Sequence, residues 1–503
     1  MILASALSAA ANPAMMTLGR RRFVARAARG SLAAAVLLAG CTVGPNYQRP
    51  PLPPQAGLGA AAEPPASGPA LSPGEPIALD WWRVYRCDEL DALVALALKN
   101  NATIAAATAS LQAAHEQMLA QHGAFYPQLS GGVSPARQKT ANTLASPLAN
   151  NEELYSLTTT QVTVSYSPDL FGGNRRAVES LQAQADQQRF QLDAARLTLA
   201  GNVVVAAIQD ALLRAELSES RAIVEADRAQ VASFERQLAA GQASSADLAA
   251  QQAQLATAQA ALPPLEKAFR VNRDLLAALV GRTPAEPVEP RFELTALALP
   301  DPLPLSLPAE LVGHRPDVRI AEEELHSASA EIGVAKAARL PNIELSAVAG
   351  SAALALYPAF GPQSDFWALT ASLTQPIFDG GTLKHRQRAA EAAYRQAAAQ
   401  YQGVVVGAFQ NTADALQAIW ADGEALKTAA AADAVSQKSL AIAKRQQAAG
   451  QATALAVLSA EATERQTRLA VLQAQAAKDS DIAALYQALG GGWWNAPGAV
   501  ANR

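Results

Sequence analysis

Hydrophobic positions along the chain follow two periods, and the order of those periods occurs twice. From Asp88 to Gly123 apolar residues recur at spacings of three and four (Leu90, Leu93, Val94, Leu96, Ala97), which predicts a helix ended by Pro127. The same spacing runs from Asp317 to Ala338 and ends at Pro341. Asp317 follows Pro316 and falls in the first turn, where a carboxylate meets the positive end of a helix. The period then drops to two. Leu129, Gly131 and Val133 alternate with Ser130, Gly132 and Ser134, and Val162, Val164 and Tyr166 with Thr163, Ser165 and Ser167. Ile343, Leu345 and Ala347, then Leu369, Ala371 and Leu373, repeat the alternation in the second half. Two strands are therefore predicted after each helix, separated by loops over residues 135–156 and 352–365.

A glycine turn follows each strand pair and opens a long helical tract. Phe171-Gly172-Gly173 precedes one that reaches Gly241, and Phe378-Asp379-Gly380-Gly381 precedes one that reaches Gly450. At 1.5 Å per residue, near-continuous helix of this length extends about 100 Å. Return helices run from Ser245 to Leu279 and from Leu455 to Leu489. Pro263-Pro264 predicts a break or kink in the first of them, with no counterpart in the second.

The two halves are a duplication. Ala239–Ala243 (Ala-Ala-Gly-Gln-Ala) returns unchanged at Ala448–Ala452, a shift of 209 that also carries Asn202 to Asn411 and Leu276 to Leu485. Nearer the start of each repeat the shift is 214, which carries Asn101 to Arg315 and Leu111 to Leu325. The expected organisation is a leader (1–40), an extended Pro/Ala-rich tether (41–80), a first repeat (81–290), a proline-rich linker (291–310), a second repeat (311–490) and a tail (491–503). Trp81-Trp82 is expected to pack the end of the tether against the folded body.

Composition sharpens the class. Half of the residues are hydrophobic, yet only 5% are aromatic, and Ala and Gln fill long stretches. That suits extended helices packed side by side around a polar lumen. The strands, apolar on one face and small and polar on the other, fit a barrel wall between lipid and water, or a sheet half-buried on a core. Patterning alone does not separate these. Four strands cannot close a spanning barrel, and an open edge in lipid leaves backbone groups unpaired at several kcal/mol each. If the strands span, several chains share one barrel.

The amino-terminal end reads as an export signal. Arg20, Arg21, Arg22, Arg26 and Arg29 precede a short apolar run from Leu32 to Leu38, followed by Leu38-Ala39-Gly40-Cys41. This box resembles a bacterial lipobox, which would make Cys41 the acylated first mature residue, and Thr42 after it favours the outer membrane. Cleavage there removes five arginines and no acid, leaving 35 basic against 44 acidic residues, which disfavours a nucleic-acid partner. Cys87 is the only other cysteine. The five histidines show no metal-ligand spacing, and Glu322-Glu323-Glu324 reads as a solvated helix face. No residue cluster supports an enzyme.

Five segments in order carry a family resemblance: Cys41–Tyr47 (Cys-Thr-Val-Gly-Pro-Asn-Tyr), Trp81-Trp82, Arg315–Arg319 (Arg-Pro-Asp-Val-Arg), Ile332–Ala337 (Ile-Gly-Val-Ala-Lys-Ala) and Gln375–Gly381 (Gln-Pro-Ile-Phe-Asp-Gly-Gly). With the duplication, they resemble the outer membrane factors of bacterial efflux systems, the TolC superfamily, and its OprM/NodT lipoprotein branch. The resemblance covers Leu38 to Gly490. It implies an α+β membrane protein with long helical-barrel hairpins. Each chain would give four β-strands to a trimeric twelve-stranded outer-membrane barrel. It further implies a homotrimeric passive duct that docks on a periplasmic adaptor and serves an inner-membrane pump, usually of the RND class. No cofactor is implied beyond N-acyl and diacylglycerol lipid on Cys41.

The resemblance also assigns the hairpin tips. Arg236, Gly241 and Ser244 match the family's tip pattern, and Arg445, Gly450 and Thr453 match it again, which implies adaptor contact. Gly permits the positive φ of a tight reversal, and Ser or Thr caps the returning helix. Some relatives ring the entrance with carboxylates after the second tip. Here Ala456 and Ser459 stand there, while Asp247 occupies the position in the first repeat equivalent to Ala456. Asp247 is either an entrance ring or a helix N-terminal acid. Two rival functions remain: a type I secretion outer-membrane duct for protein substrates, built on the same fold, and a periplasmic structural lipoprotein that forms no channel.

Overall fold

The computed structural model describes residues 42–51, 77–141, 143–144, 152–286, 288, 290, 292–297, 299–300, 309–355, 361 and 364–495. Cys41, the leader, most of the tether and the end of the tail lie outside the described residues. The first repeat forms α1 (Asp88–Asn100), α2 (Ala102–His122), β1 (Gln128–Lys139), β2 (Leu154–Tyr166), α3 (Gly173–Ala239) and α4 (Ser245–Leu279). The second forms α5 (Pro316–Ala337), β3 (Asn342–Ala353), β4 (Asp365–Thr374), α6 (Thr382–Ala448) and α7 (Ala454–Ala488). The duplication is metric as well as topological: α3 and α6 are each 67 residues long, and α4 and α7 are each 35.

Three local expectations need correction. The first helix is two helices, bent by 47° at Asn101. Asn101 takes an extended conformation, and its Oδ1 accepts the Thr103 amide at 2.8 Å, so the residue that ends α1 also caps α2. The loop expected from Pro135 is shorter, because β1 runs on to Lys139 and β2 starts at Leu154. Pro135 lies within β1, opposite Thr158 of β2. Pro263 and Pro264 lie inside α4, which continues through them without the break that the pair allowed. Both rings favour a helical φ, and the pair removes only two donors from a helix packed along α3.

The chain divides into two compact units. One comprises the described parts of residues 1–47, 118–180 and 327–394 and holds the sheet. Its four strands are all antiparallel in the order β1-β2-β3-β4, leaving β1 and β4 as free edges. Register aligns the apolar positions: Leu129, Val164, Ala347 and Leu369 form one row, and Gly131, Val162, Ala349 and Trp367 the next. The row on the other side of Leu129, formed by Gln128, Ser165, Ser346 and Thr370, is polar. Asp169 and Asp379 cap the long helices that leave the sheet, accepting the Arg175 amide at 2.9 Å and the Leu383 amide at 2.8 Å.

The other unit comprises residues 48–117, 181–326 and 395–503. Its core joins Tyr85, Leu90 and Val94 with Ile208, Leu276, Leu416, Ile482 and Leu485. Trp81 stacks on Tyr486 at 5.3 Å inside this core, the packing role expected of the tryptophan pair. An 18-residue window of α3 reaches a mean hydropathy of 1.3, and 67% of it is buried, as befits a core helix. Contacts order the helices α4-α3-α7-α6. Asn272 donates to the Ala206 carbonyl at 2.9 Å, Gln473 to Glu216 at 2.7 Å, and Ser436 bonds Thr467 at 2.7 Å.

Each repeat is closed by the same bond. The Asn101 Nδ2 donates to the last carbonyl of α4, Leu279 O, at 2.9 Å. At the equivalent place in the second repeat the buried Arg315 donates to the last carbonyl of α7, Ala488 O, and to Ala408 O. Two different side chains thus satisfy the same orphan helix-end acceptor.

Candidate functional site

The sheet presents a bare apolar face. Leu129 is 73% exposed, Trp367 78% and Leu369 77%, although each sits in a strand and in register with apolar neighbours. Val133, Val162 and Leu373 are exposed in the same phase. A sheet packed on a core would bury these positions. Beyond β4, Ile377 and Phe378 are 97% and 92% exposed, and Tyr126 stands exposed before β1. Large aromatic residues at the margins of an apolar band are the arrangement of a membrane-facing wall. Strands of 10 to 13 residues extend about 33–43 Å at 3.3 Å per residue. At a tilt near 40° they rise about 25–33 Å, matching a hydrocarbon layer.

The same unit holds the segment that follows Cys41. The Val43 amide donates to Phe171 O at 3.0 Å. Buried Arg176 donates from Nε to Val43 O at 3.3 Å and from Nη2 to Asn46 Oδ1 at 2.7 Å. Three glycines let the backbones meet. A Cβ on Gly44, whose φ is +105°, would lie 2.5 Å from Gly333 Cα, and one on Gly172 would lie 2.5 Å from Thr42 Cγ2. Each glycine is visible in the sequence, but only the fold brings Gly44, Gly172 and Gly333 together. Thr42, Val43, Gly44 and Asn46, which follow the lipobox sequence, are therefore held within the unit that carries the sheet.

The hairpin tips lie in the helical unit. Arg236, Gly241 and Ser244 are exposed, as are Arg445, Gly450 and Thr453. Both turns use the same bonds. Gly241 has φ +70° and donates to Leu238 O at 2.9 Å, while Gln242 donates to Gln237 O at 2.7 Å. Gly450 has φ +72° and donates to Gln447 O at 2.9 Å, while Gln451 donates to Gln446 O at 2.8 Å. This is a Schellman closure, which needs a left-handed residue after the helix. Ser244 Oγ accepts the Asp247 amide at 3.1 Å, and Thr453 Oγ1 accepts the Ala456 amide at 3.2 Å. The Arg445 Nε folds back to Ala441 O at 3.2 Å. The Arg236 carbonyl accepts the Ala240 amide at 3.1 Å, while its side chain makes no hydrogen bond or ion pair among the described residues.

Asp247 completes a capping box. Its Oδ2 accepts from the Ser244 hydroxyl at 2.7 Å and from the Ser244 amide at 3.1 Å. These bonds, the hydroxyl's first, hold its carboxyl below the usual aspartate range. Ala456 offers no such acceptor, so the two tips differ in one cap.

Elsewhere the structure revises the glutamate run. Glu322 is buried and paired with Arg319 at 2.8 Å and Arg49 at 3.2 Å; Glu323 is half-buried; only Glu324 is exposed. Burial raises the Glu322 carboxyl, opposed by Arg319 and Arg49. Cys87 is a buried residue at the start of α1. Among the described residues no group of three His, Cys, Asp or Glu is placed to hold a metal.

Comparison with known proteins follows this architecture. The sequence model of the family described as outer membrane efflux protein matches residues 93–282 and 307–491, one segment in each repeat. The chain is 30% identical over 486 residues to outer membrane protein OprJ of Pseudomonas aeruginosa, covering 94% of this chain and 97% of OprJ. It is 29% identical over 426 residues to the pyoverdine export outer membrane protein OpmQ of Pseudomonas putida, covering 82% of this chain and 88% of OpmQ. The solved outer-membrane channel OprN superposes with a TM-score of 0.79 at 26% identity, over 90% of this chain and all of OprN.

Proposed function

Because the chain belongs to the outer membrane efflux protein family, and so is an outer-membrane efflux channel subunit with a TolC-like fold, we propose that it works as a homotrimer in a tripartite pump. Three four-stranded sheets pair edge to edge into one twelve-stranded barrel, and six helical hairpins form the helical wall of the duct. The observation that carries this is the sheet with an aligned, exposed apolar face and two free edges. In lipid those edges need partners, and a second copy of the same chain supplies them.

The remaining assignments rest on this reading. Acylation of Cys41 adds a second hold on the membrane, since each buried methylene contributes about 0.8 kcal/mol. The tips bearing Arg236, Gly241, Ser244, Arg445, Gly450 and Thr453 dock on a periplasmic adaptor, which couples the duct to an inner-membrane pump of the RND class. Asp247 from each protomer lies near the entrance as a capping carboxylate. The duct does no chemistry; it opens when adaptor and pump engage. OpmQ is named for pyoverdine export; for this chain we assign the broader class of drugs and other small toxic compounds.

The test is the double variant R236E/R445E in cells. Drug accumulation is expected to rise to the level of a deletion strain, while unheated protein still migrates as a trimer and heated protein as a monomer. Wild-type accumulation in that variant rejects the docking assignment. Migration as a monomer without heating, with release from membranes of C41A, rejects the barrel.

A further inference from the structure

The first hairpin carries a charged pocket that the duct's architecture does not require. It has a volume of about 530 Å³ and opens between α3 and α4, lined by Arg214, Leu217, Arg221, Phe269, Arg270 and Arg273. Four guanidinium groups converge there against two carboxylates. Asp210, fully buried, is shared by Arg214 and by Arg273 at 3.4 Å, and Glu266 pairs with Arg221 at 2.9 Å. Arg214 also donates to Pro290 O. Arg273 lies over the Phe269 ring at 4.4 Å. Arg270, on the pocket rim, has no side-chain hydrogen bond or ion pair among the described residues.

We propose that this pocket binds a small amphiphilic organic anion, its carboxylate or comparable oxyanion on Arg270 and Arg221 and its apolar body on Phe269 and Leu217. The volume is that of a small-molecule site. Asp210 fixes Arg214 and Arg273, which flank the ligand, and Glu266 holds Arg221, one of the two guanidiniums that meet the oxyanion, before any ligand arrives, which lowers the cost of ordering. A guanidinium reads a planar oxyanion through paired N–H groups.

Two observations set the pocket apart from packing. The shift of 209 replaces Arg214, Arg221, Arg270 and Arg273 by Gly423, Ala430, Asp479 and Ile482, so the second hairpin builds the same helix pair without the cluster. The pocket residues of α4 also form one stripe (Glu266, Phe269, Arg270, Arg273), whereas exposed Val271 and Leu275 lie on roughly the opposite side of that helix. A neighbouring copy that covers the apolar flank leaves the pocket open.

The test is titration of 2-naphthoate into the purified full-length protein in detergent, read by saturation-transfer NMR, with 2-naphthylmethanol as the neutral comparison. Saturable binding is expected, weakening about tenfold in R270A and in R221A and falling with added salt. Both variants are expected to keep heat-sensitive trimer migration, because neither side chain is buried. Equal binding by wild type and both variants, or equal binding of the neutral alcohol, overturns the proposal. So does capture of an acidic protein partner by a pocket that takes up no naphthoate.

Discussion

The phase of the strands has a sharp consequence at Leu369 and its neighbour Thr370. Leu369 is the fifth of the ten residues of β4, 77% exposed, and in a row with Ala347, Val164 and Leu129. Thr370 points to the other face, in the row of Ser346, Ser165 and Gln128. If the apolar row meets lipid, L369K puts an ammonium close to the middle of the hydrocarbon. A lysine at that depth costs about 2–4 kcal/mol in a barrel. In the proposed trimer the substitution occurs three times, so the penalty is about 6–12 kcal/mol per assembly, comparable to the whole stability of a typical domain. T370K places the same charge toward water and costs close to nothing. The assay is the amount of heat-modifiable trimer in the outer-membrane fraction. L369K is expected to be nearly absent and T370K close to wild type. Loss of T370K with survival of L369K means the faces are inverted. Equal yields mean the sheet does not sit in lipid.

Three further outcomes follow from the contacts. In G333V the new side chain starts 2.7 Å from Arg176 Cγ and 3.0 Å from Val43 O, so the segment after Cys41 must lift; faster proteolysis near Thr42 is expected, and unchanged cleavage would show that the clamp is not needed. D210A strands two guanidiniums against a buried site and is expected to cost about 3–5 kcal/mol, seen as a lower Tm by circular dichroism. Burial pushes the Asp479 carboxyl up to about 6 from its ordinary 3.8, opposed by the Gln475 hydrogen bonds, so the native chain holds this proton more tightly than the unfolded chain. Stability from this group is full below pH 4 and is lost as pH rises through 6, by up to about 3 kcal/mol; D479N is expected to match wild type at pH 4 and to exceed its Tm at pH 7.5, and an identical pH dependence would refute the assignment.

Elements set by local periodicity were legible in the sequence. The strands, the long helices and both tip glycines follow from spacing and from backbone conformations that only glycine adopts without strain. Less legible was whatever depended on a distant partner. Asn101 looks like one more polar residue in a helical tract until its two ends are seen to cap α2 and to reach Leu279 O. The proline pair looks like a break because a sequence does not show how firmly α4 lies along α3. The three glutamates form one run on paper, yet Arg49, more than 270 residues away, makes Glu322 a buried partner. The clamp glycines and the arginine pocket share that property: each residue type is ordinary, and the meaning lies in which ones meet.

The duplication can now be separated into what both repeats keep and what they trade. Helix lengths, the Schellman bonds at the tips and the bond that closes each repeat onto its last helix are matched, even where Asn101 has become Arg315. These are backbone obligations, which the proposed trimer meets six times. The electrostatics are not matched. One hairpin carries Asp210 beneath an arginine cluster and the Ser244–Asp247 capping box; the other carries buried Asp479 and an uncharged Ala456 beside its cap. In the proposed trimer, a partner that presses on six geometrically similar hairpins therefore meets two kinds of charge in alternation. Extra hydrogen bonds tie the first tip's helix start, and nothing equivalent ties the second. If the entrance opens by unwinding or sliding near the tips, the second hairpin of each protomer moves more readily than the first. Cross-linking within the Arg445–Thr453 turn should then restrict efflux more than the same link in the Arg236–Ser244 turn, and equal restriction would argue that the caps play no part in opening.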